Sequence, residues 1–474
     1  MESVMKVKFI LPSLVEAQSP LWRPIKYSLF PPLGLATLAG YLNPDDEAEI
    51  IDQHVEYLDT DDVPDLVVIQ VYITNANRAY RIADIYRSKG VFVCLGGLHV
   101  SSLPMEAAKH ADAIFIGPGE YTFTEFLKDH RRKSAKAIYI SKQRDLETIP
   151  PVRRDLIKRE HYLVPNSLVV SRGCPHHCNF CYKDAFFEGG KSFYTQKVDD
   201  ALAEINRLPG KHLYFLDDHL LGHQRFASAL FEGMKGMGRV FQGASTVDAI
   251  LRGNLIEKAA DAGLRSIFIG FETLNSNNLI SSNKRQNIYK YEQAIERLHD
   301  HGIMINASFV FGLDSDTREV FKHTVDWAIE QGITTSTFHI ATPYPGTKYH
   351  AEMQSAGRIL THNWDKYDTR TPIVKPAHMS LTELKQGYEW SYKAFYKWSA
   401  ISKASRQHDS LKHVLKHLFY AGGWKKFEPV WNLAIKSGGL KYSRPLLESV
   451  LSKVNRKNKY ALETSPLKSM GGKL

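Results

Sequence analysis

Three cysteines lie close together in the segment SRGCPHHCNFC, which covers residues 171–181. Cys174, Cys178 and Cys181 follow the spacing C-x3-C-x2-C, and only one other cysteine, Cys94, occurs in the 474-residue chain. Three thiolates on one short loop can each bind one iron of a cubane cluster, and the fourth iron then has no protein ligand. Because a small molecule can chelate that vacant iron, the spacing predicts an iron–sulfur cluster that takes part in catalysis.

Two alternatives to an iron–sulfur cluster remain open for the three cysteines. A zinc ion could take the three thiolates together with His176 or His177, although structural zinc usually takes its ligands as two separated pairs. Thiols without a metal would account for neither the clustering nor the neighbouring Gly173 and Pro175. Four cysteines of which three are clustered do not form a disulfide framework, and this favours a reducing compartment.

The net charge of +10 is concentrated at the C-terminus. Residues 401–474 contain 15 Lys and Arg against 4 Asp and Glu, a net charge of +11, so the first 400 residues are close to neutral. A basic tail is typical of proteins that bind an anionic partner, but it also occurs as a solvated helical surface. We expect no signal peptide and no transmembrane helix, because neither pattern is present.

Two α/β series must position the cysteine loop. In residues 1–144, apolar strands alternate with helices, a pattern typical of a parallel sheet covered on both faces. Residues 145–166 contain three prolines and are predicted to be a linker. Residues 167–377 carry six strand–helix units, which predict a partial (β/α)6 barrel of the TIM type, with the cysteine loop directly after its first strand, at the mouth. Residues 378–474 are predicted to form a helical, basic C-terminal region.

The cysteine loop resembles that of radical S-adenosylmethionine (radical SAM) enzymes, including the aromatic Phe180 before the last cysteine. Four further segments resemble the cobalamin-binding subclass of that superfamily: PLGLATLAGYL, ITNANRAYRIADIYRSKG, CLGGLHVSSLPMEAAKHADAIFIGPGE and TPYPGTKYH. The resemblance covers roughly residues 5–350. It implies an N-terminal Rossmann-like cobalamin-binding domain, a radical SAM barrel and three cofactors, namely a 4Fe-4S cluster, S-adenosylmethionine (SAM) and cobalamin.

The resemblance also implies a mechanism in which the cofactors do the difficult chemistry. In this family the open iron binds the amino and carboxylate groups of SAM, and one electron from the cluster cleaves SAM to methionine and a 5′-deoxyadenosyl radical. The radical abstracts a substrate hydrogen. In the methyltransferases of the subclass, methylcobalamin then donates its methyl group and a second SAM remethylates the cobalamin. A reductase of the flavodoxin or ferredoxin type is the implied electron donor.

The candidates for binding SAM lie at the ends of the barrel strands. The family places a motif that meets the methionine amino group after the second strand, where this chain has Asp217 and Asp218 in place of the usual Gly-Gly-Glu. Either carboxylate suits an ammonium group. Glu272, at the end of the fourth strand, is a candidate for the ribose or the amino group, and Ser245 and Ser308 are candidates on neighbouring strands. Each of these residues is otherwise an ordinary polar group satisfied within the protein.

The candidates for binding cobalamin lie on loops of the N-terminal series, where glycines let the backbone approach the corrin. They are Leu33, Gly34, Thr74, Asn75, Gly96, Gly97, His99, Gly117 and Glu120. Asp52 and His54 partly match the Asp-x-His-x-x-Gly cobalt-ligating motif of other cobalamin proteins, but Tyr57 occupies the glycine position. We therefore expect cobalamin to bind without a histidine below the cobalt, and we expect Cys94 to be an inert core residue.

The sequence thus predicts a cobalamin-dependent radical SAM methyltransferase that acts on an unactivated carbon of a hydrophobic substrate such as a lipid. A radical SAM cyclase or ring-rearranging enzyme of the same subclass is the alternative. A tRNA methylthiotransferase would account for the basic tail, but such enzymes carry three further cysteines in the N-terminal domain, where this chain has only Cys94. A zinc- or cobalamin-binding regulatory module is the alternative outside enzymology.

Aromatic residues and lysines are interleaved in the C-terminal region, a pattern typical of a helix lying in a membrane interface. The residues concerned are Trp424, Lys425, Lys426, Phe427, Trp431 and Lys436. A helical lid packed on the barrel is the alternative, and either arrangement would help to select the substrate. We expect a cytoplasmic protein that is peripheral to the inner face of the membrane, and we do not expect nucleic acid as a partner.

Overall fold

The computed structural model describes residues 4–15, 30–282 and 288–426 of the chain. Within these residues the chain forms two six-stranded sheets and one two-stranded sheet. Both large sheets are parallel throughout. The predicted α/β class is therefore confirmed.

The first sheet has the strand order β2-β1-β3-β4-β5-β6. Its strands are β1 (Lys6–Leu11), β2 (Glu47–Asp52), β3 (Leu66–Gln70), β4 (Phe92–Gly96), β5 (Ala113–Ile116) and β6 (Ile138–Ile140). The connecting helices are α1 (Leu33–Ala39), α2 (Ala76–Ser88), α3 (Leu98–Ser102), α4 (Pro104–Ala107) and α5 (Glu120–Arg131). Strand order reverses between β1 and β3, and ligands of such sheets bind at that point, beyond the carboxyl ends of the strands.

The second sheet is the predicted partial barrel, with the strand order β7-β10-β11-β12-β13-β14. The strands of this part of the chain are β7 (Ser167–Leu168), β8 (Ser171–Gly173), β9 (Phe193–Thr195), β10 (His212–Phe215), β11 (Val240–Ser245), β12 (Leu264–Glu272), β13 (Met304–Phe311) and β14 (Thr335–Ile340). Its helices are α6 (Lys183–Phe186), α7 (Val198–Arg207), α8 (Gln224–Met234), α9 (Val247–Ile250), α10 (Leu255–Ala262), α11 (Ser276–Ser281), α12 (Ile288–Asp300), α13 (Glu319–Glu330) and α14 (Lys348–Ser355). Six parallel strands with helices on the outer face confirm the (β/α)6 prediction.

The predicted first barrel strand, NSLVVSRG, is divided in the structure. Only Ser167 and Leu168 pair with β10, and β8 leaves the barrel to form an antiparallel hairpin with β9. The Asp217 carboxylate accepts hydrogen bonds from the backbone N–H groups of Val170 and Ser171. The Asp217 side chain therefore accepts the backbone hydrogen bonds that would otherwise go to a neighbouring strand. The cysteine loop begins at the hairpin and not directly after the barrel strand.

The barrel's outer edge is covered by the first of three C-terminal helices, α15 (Leu381–Phe395), α16 (Trp398–Ser405) and α17 (Leu411–Leu418), the last followed by a π-helical turn, Phe419–Lys425. The Tyr392 hydroxyl accepts from the N–H of Phe338 and donates to its C=O, both at 3.1 Å. Tyr396 does the same for Ser336, at 3.0 and 2.8 Å. Both tyrosines thus satisfy backbone groups of the edge strand β14 that no further strand pairs.

Helix α17 lies at the amino ends of the barrel strands, opposite the mouth. Lys416 Nζ donates to the C=O of Gly302, just before β13, and the Tyr420 hydroxyl lies 3.5 Å from Gln242 Oε1 of β11. Residues 398–426 therefore pack on the barrel without reaching the mouth, where a substrate would be selected. Of the aromatic residues singled out in the sequence, Phe427 and Trp431 lie outside the described residues, as does Lys436.

Candidate functional site

Backbone hydrogen bonds within the cysteine loop and to the β8–β9 hairpin fix the conformation of the loop. The Cys174 N–H donates to the C=O of Ser192 at 2.9 Å, and the Cys181 N–H donates to the C=O of Cys178 at 3.0 Å. Gly173 has φ +76°, and a Cβ there would lie 1.9 Å from the Ser192 oxygen, so only glycine fits before the first cysteine. The three thiols are half-buried.

The electrostatics of the loop fit a metal cluster held by thiolates. Burial raises the pKa of the Cys181 thiol to about 12, although the Lys183 ammonium acts to lower it, and a bound metal would favour the thiolate. Burial also opposes the charge on Lys183, but Asp218, Cys181 and Cys174 together raise its pKa, and its Nζ lies 3.3 Å from Asp218 Oδ1. The loop thus offers three thiolates beside one cation, which fits the donor set of a 4Fe-4S cluster with one open iron.

A zinc site would instead need ligands gathered around one ion. In residues 4–15, 30–282 and 288–426, no three His, Cys, Asp or Glu side chains are grouped closely enough to hold a single metal ion. Thiolates that each bind a different iron of a cubane do not need such a group.

The two aspartates that follow β10 have different surroundings. Asp217 is buried, and besides the two backbone N–H groups it accepts a hydrogen bond from the Ser171 hydroxyl; burial raises its pKa to about 7. Asp218 is partly exposed and lies in the wall of a cavity, paired with Lys183. Asp217 therefore braces the start of the cysteine loop, and Asp218 is the carboxylate that faces open space.

Two adjoining cavities lie between the carboxyl edge of the first sheet and the barrel mouth. Cavity A has a volume of about 530 Å³ and cavity B about 480 Å³. They share a wall made of Leu33, Gly34, Gln70, Tyr72, Leu98, Val169, Tyr182 and Leu216. Tyr182 directly follows Cys181, so the cysteine loop forms part of both cavities. Burial raises the pKa of Tyr72 to about 12 and that of Tyr182 further, so both stay neutral phenols.

The cavities bring together eight of the nine predicted cobalamin-binding residues. Cavity A is lined by Leu33, Gly34, Thr74 and His99. Cavity B is lined by Leu33, Gly34, Gly96, Gly97, Gly117 and Glu120. The exception is Asn75, whose amide accepts from the N–H of Tyr72 and donates to the C=O of Pro12, each at 2.8 Å, and so ties the end of β1 to the segment after β3.

The shared wall is shaped for a large group. A Cβ on Gly34 would lie 3.6 Å from the Gln70 amide oxygen and would fill space that both cavities use. Most of the other lining side chains are apolar or aromatic, with a small number of polar groups. Such a lining suits a broad macrocycle with an apolar face and polar rim substituents, as in cobalamin.

Two histidines line cavity A, and the Nε2 atom of each is engaged. His54 Nδ1 lies 2.6 Å from Asp52 Oδ1, and its Nε2 accepts from the N–H of Leu14 at 3.1 Å. His99 Nε2 lies 3.0 Å from Glu106 Oε1. Cobalamin bound without a histidine below the cobalt stays a prediction. Cys94 is fully buried in the first sheet, as expected of a core residue.

The Glu106 carboxylate also links the two halves of the molecule, because the Trp364 indole N–H donates to it at 3.0 Å. Burial works against its charge, but hydrogen bonds from His99, Tyr80 and Trp364 lower the pKa of Glu106. His99 Nε2 is therefore the donor, which leaves Nδ1 as an acceptor. That Nδ1 is buried and has no hydrogen-bond partner in the described part of the chain, which fits a cofactor carrying amide N–H groups.

The remaining predicted residues lie outside the walls of the two cavities. Glu272 ends β12 beside a bulge and has φ +67°, a conformation unusual for glutamate. Ser308 shares the inner face of β13 with Asn306, whereas Ser245 shares the face of Phe241, whose ring stacks on Phe231 of α8. Phe180 packs against the apolar cluster that contains Tyr349 and Tyr367.

Several lining residues were missed in the sequence. Tyr182 follows the last cysteine directly, Gln70 ends β3, and Tyr72 lies two residues after it. These residues could have been found only from their position in the sequence, because each lies near the carboxyl end of a strand or beside the cysteine motif. Arg172, which also lines cavity B, had the same positional signal, since it lies two residues before Cys174.

Two family models match this chain. Residues 168–328 match the model described as the radical SAM superfamily, and residues 27–127 match the model described as the B12 binding domain. These matches cover the cysteine loop and the loops that line the two cavities.

Three proteins of known activity illustrate the similarity. The chain is 31% identical to the bacteriochlorophyllide d C-12(1)-methyltransferase of Chlorobaculum tepidum, over 72% of this chain and 76% of that protein. It is 26% identical to an anaerobic magnesium-protoporphyrin IX monomethyl ester cyclase of Rubrivivax gelatinosus, over 84% and 79%. It is 24% identical to the hopanoid C-2 methylase of Rhodopseudomonas palustris, over 70% and 66%.

The fold is also that of a solved structure. The cobalamin-dependent S-adenosylmethionine radical enzyme OxsB, with aqua-cobalamin and S-adenosylmethionine bound, superposes with a TM-score of 0.67. The superposition covers 94% of this chain and 75% of OxsB, at 16% sequence identity.

Proposed function

The chain belongs to the cobalamin-binding radical SAM enzymes, and on that premise we propose that it transfers a methyl group to an unactivated carbon of a hydrophobic substrate. Its cofactors are a 4Fe-4S cluster, SAM and cobalamin. One observation carries the proposal: Tyr182, next to Cys181, stands in the wall of both cavities that the predicted cobalamin-binding residues line. The radical source and the methyl donor can therefore meet one substrate.

In this proposal the residues of the chain bind and orient the cofactors and the substrate. When bound, the cluster supplies the electron that cleaves SAM and cobalamin supplies the methyl group. Cys174, Cys178 and Cys181 hold the cluster, and Asp218 offers a carboxylate to the SAM amino group. Glu272, Ser308 and Phe180 stay candidates for SAM binding as part of the proposal, whereas Ser245 shares the face of β11 that packs against α8. Residues 1–144, 145–166, 167–377 and 378–474 are assigned to the cobalamin domain, the linker, the radical SAM barrel and the basic C-terminal region.

The lining of cavity A supports a hydrophobic substrate. Among the residues that the structure describes, this lining includes no Asp, Glu, Lys or Arg; its polar members are two histidines whose Nε2 atoms are engaged, tyrosines and small or amide side chains. Such a wall excludes water from the reacting atoms and favours apolar contact. The relatives named above act on a bacteriochlorophyllide, a magnesium protoporphyrin ester and a hopanoid, all of them hydrophobic.

The proposal includes peripheral association with the inner face of a membrane, from which a lipid or another hydrophobic substrate would be taken. None of the helices in the described ranges combines the length and the apolar character needed to cross a membrane. The electron donor proposed here is a reductase of the flavodoxin or ferredoxin type.

Anaerobic turnover tests the proposal. The reconstituted protein is incubated with SAM, cobalamin, a reductant and, as probes, a bacteriochlorophyllide and a hopanoid. Methyl transfer predicts both 5′-deoxyadenosine and S-adenosylhomocysteine, with one CH2 added to the probe. Formation of 5′-deoxyadenosine with a changed probe but no S-adenosylhomocysteine would favour the cyclase or ring-rearranging alternative and contradict the methyltransferase.

A further inference from the structure

Helix α17 turns its apolar side chains outward. Leu411 is 74% exposed, Leu415 is 57% exposed and Phe419, at the start of the π-helical turn, is 49% exposed. The spacing i, i+4, i+8 places all three on one face of the helix. Several large apolar side chains on one exposed face indicate an interaction site, whereas single exposed leucines are common on protein surfaces.

The face that α17 turns toward the barrel is polar. Lys416 Nζ donates to the C=O of Gly302 at 3.0 Å, and the His413 ring packs against the same glycine. His417 is buried, with its Nδ1 3.0 Å from His408 Nε2. A helix on the surface of a water-soluble protein normally buries its apolar face and exposes its polar one, so the amphipathicity of α17 is inverted.

A tryptophan extends the apolar surface beyond α17. Trp398 of α16 is 54% exposed, and its ring lies against Gly422, while the neighbouring Gly423 lies against the Phe419 ring. We call Leu411, Leu415, Phe419 and Trp398 the outer patch. Lys426 Nζ lies 4.8 Å from the centre of the Trp398 ring, so a cation sits at the edge of the patch.

The charge around the outer patch is strongly positive. Residues 397–426 contain seven Lys and Arg and one acidic residue, Asp409. One of the seven, Lys416, faces the barrel; the others are Lys397, Lys403, Arg406, Lys412, Lys425 and Lys426. Exposed apolar side chains framed by cations match an anionic lipid surface, in which apolar groups enter the acyl boundary and lysines meet phosphates.

We propose that the outer patch docks the protein on an anionic lipid bilayer. A nucleic acid would meet the charges but would leave Leu411 and Leu415 in water. The inference deepens the proposed membrane association and is independent of which reaction the enzyme performs. Because the patch lies at the amino ends of the barrel strands, docking turns the mouth and both cavities away from the bilayer, so a hydrophobic substrate reaches them only after it has left the membrane.

Vesicle co-sedimentation of the full-length protein tests this proposal. The protein should bind vesicles of phosphatidylcholine mixed with phosphatidylglycerol more strongly than vesicles of phosphatidylcholine alone. The double variant L411E/L415E should lose at least about tenfold in partition coefficient, because two leucines no longer enter the lipid. K412Q should lose about fivefold on the anionic vesicles alone. The matched control I85E/L360E, at exposed apolar positions elsewhere, should bind as the unmodified protein does.

A second readout locates the contact. Brominated lipids should quench part of the tryptophan fluorescence of the unmodified protein, and W398F should lose that part. Unchanged binding by L411E/L415E would overturn the proposal. The proposal would also be overturned if L411E/L415E changed a dimer to a monomer without any effect on vesicle binding. It would be overturned as well if the unmodified protein bound RNA and this variant did not. Turnover in detergent is measured separately, so failure of docking and failure of methyl transfer are distinguishable.

Discussion

Arg172 Nε lies 3.1 Å from Glu120 Oε1, and this ion pair joins the strand that enters the cysteine loop to the first turn of α5 in the other domain. Both side chains are largely buried and both line cavity B. The pair therefore fixes the distance between the cluster loop and a glycine-rich loop of the first sheet, on the side where a cofactor would span the two domains.

Removal of Arg172 should loosen this junction. R172A leaves the Glu120 carboxylate largely buried without its partner, and we expect a loss of about 2 kcal/mol in the free energy of unfolding, with cobalamin binding about tenfold weaker. Urea unfolding and absorbance titration with cobalamin measure the two effects. The matched control is R153A, which breaks the exposed Arg153–Asp155 pair and should cost less than about 1 kcal/mol. Equal effects of the two variants would contradict the assignment.

Each loop cysteine should be required for the cluster. C174S, C178S and C181S should each lose most of their iron and sulfide after anaerobic reconstitution, because a thiolate ligand to one iron is missing. C94A should keep a full complement, since Cys94 is buried in the core of the first sheet. Iron and sulfide analysis decides this, and a C94A variant that loses its iron would show that the cluster has a different ligand set.

The two aspartates after β10 should differ in their effects. D217A removes the acceptor of three donors on Val170 and Ser171, and at pH 8 it should cost about 2–4 kcal/mol in the free energy of unfolding. D218N leaves the largely buried Lys183 ammonium without its carboxylate partner, so it should cost about 1–2 kcal/mol, and it should weaken SAM binding about tenfold. Urea unfolding and equilibrium binding of SAM measure these quantities. Normal SAM affinity in D218N would remove Asp218 from the SAM site.

Acid should release the C-terminal helices from the barrel. Burial lowers the pKa of His299 and His408 to about 4 and that of His417 to about 3, against about 6.5 in an unfolded chain. Their contribution to stability is thus complete above pH 6.5 and is lost as the pH falls toward 4. Buried Asp217 and Asp316, whose pKa values are raised to about 7, contribute in the opposite sense.

A local measurement separates these opposing contributions. Limited proteolysis near α17 at pH 7.5 and pH 5 should show faster cleavage at the lower pH. The free energy that holds the C-terminal helices on the barrel should fall by about 2 kcal/mol between these pH values. H408Q should flatten that dependence, because its side chain does not titrate. An H408Q variant as acid-sensitive as the unmodified protein would exclude the histidine cluster as the cause.

Much of the fold followed from local patterns in the sequence. Apolar runs such as LVVIQ and turn glycines such as Gly97 act over a few residues, so they predicted the strands and the loops that line the cavities. The edge strand β6 escaped prediction because it has only three residues, two of them exposed. The cysteine spacing was sufficient to predict the cluster loop, since its chemistry depends on neighbours in sequence.

The features that escaped prediction depend on contacts between distant residues. Asp217 braces Val170 and Ser171 only because β7 and β10 are adjacent, and this contact divides the first barrel strand. Trp364 meets Glu106 across 258 residues of sequence. The inverted α17 could be recognised as amphipathic, but which of its faces meets the barrel is decided by tertiary packing.

Turnover that starts from labelled methylcobalamin shows where the transferred methyl group comes from. The protein is loaded with trideuteromethyl-cobalamin and given unlabelled SAM, a reductant and the substrate probe that gives product. Methyl transfer from cobalamin predicts that the first product molecules carry the trideuteromethyl group and that later ones carry the unlabelled group, together with 5′-deoxyadenosine. An unlabelled methyl group in the first turnover, or a product that carries no added methyl group, would contradict it.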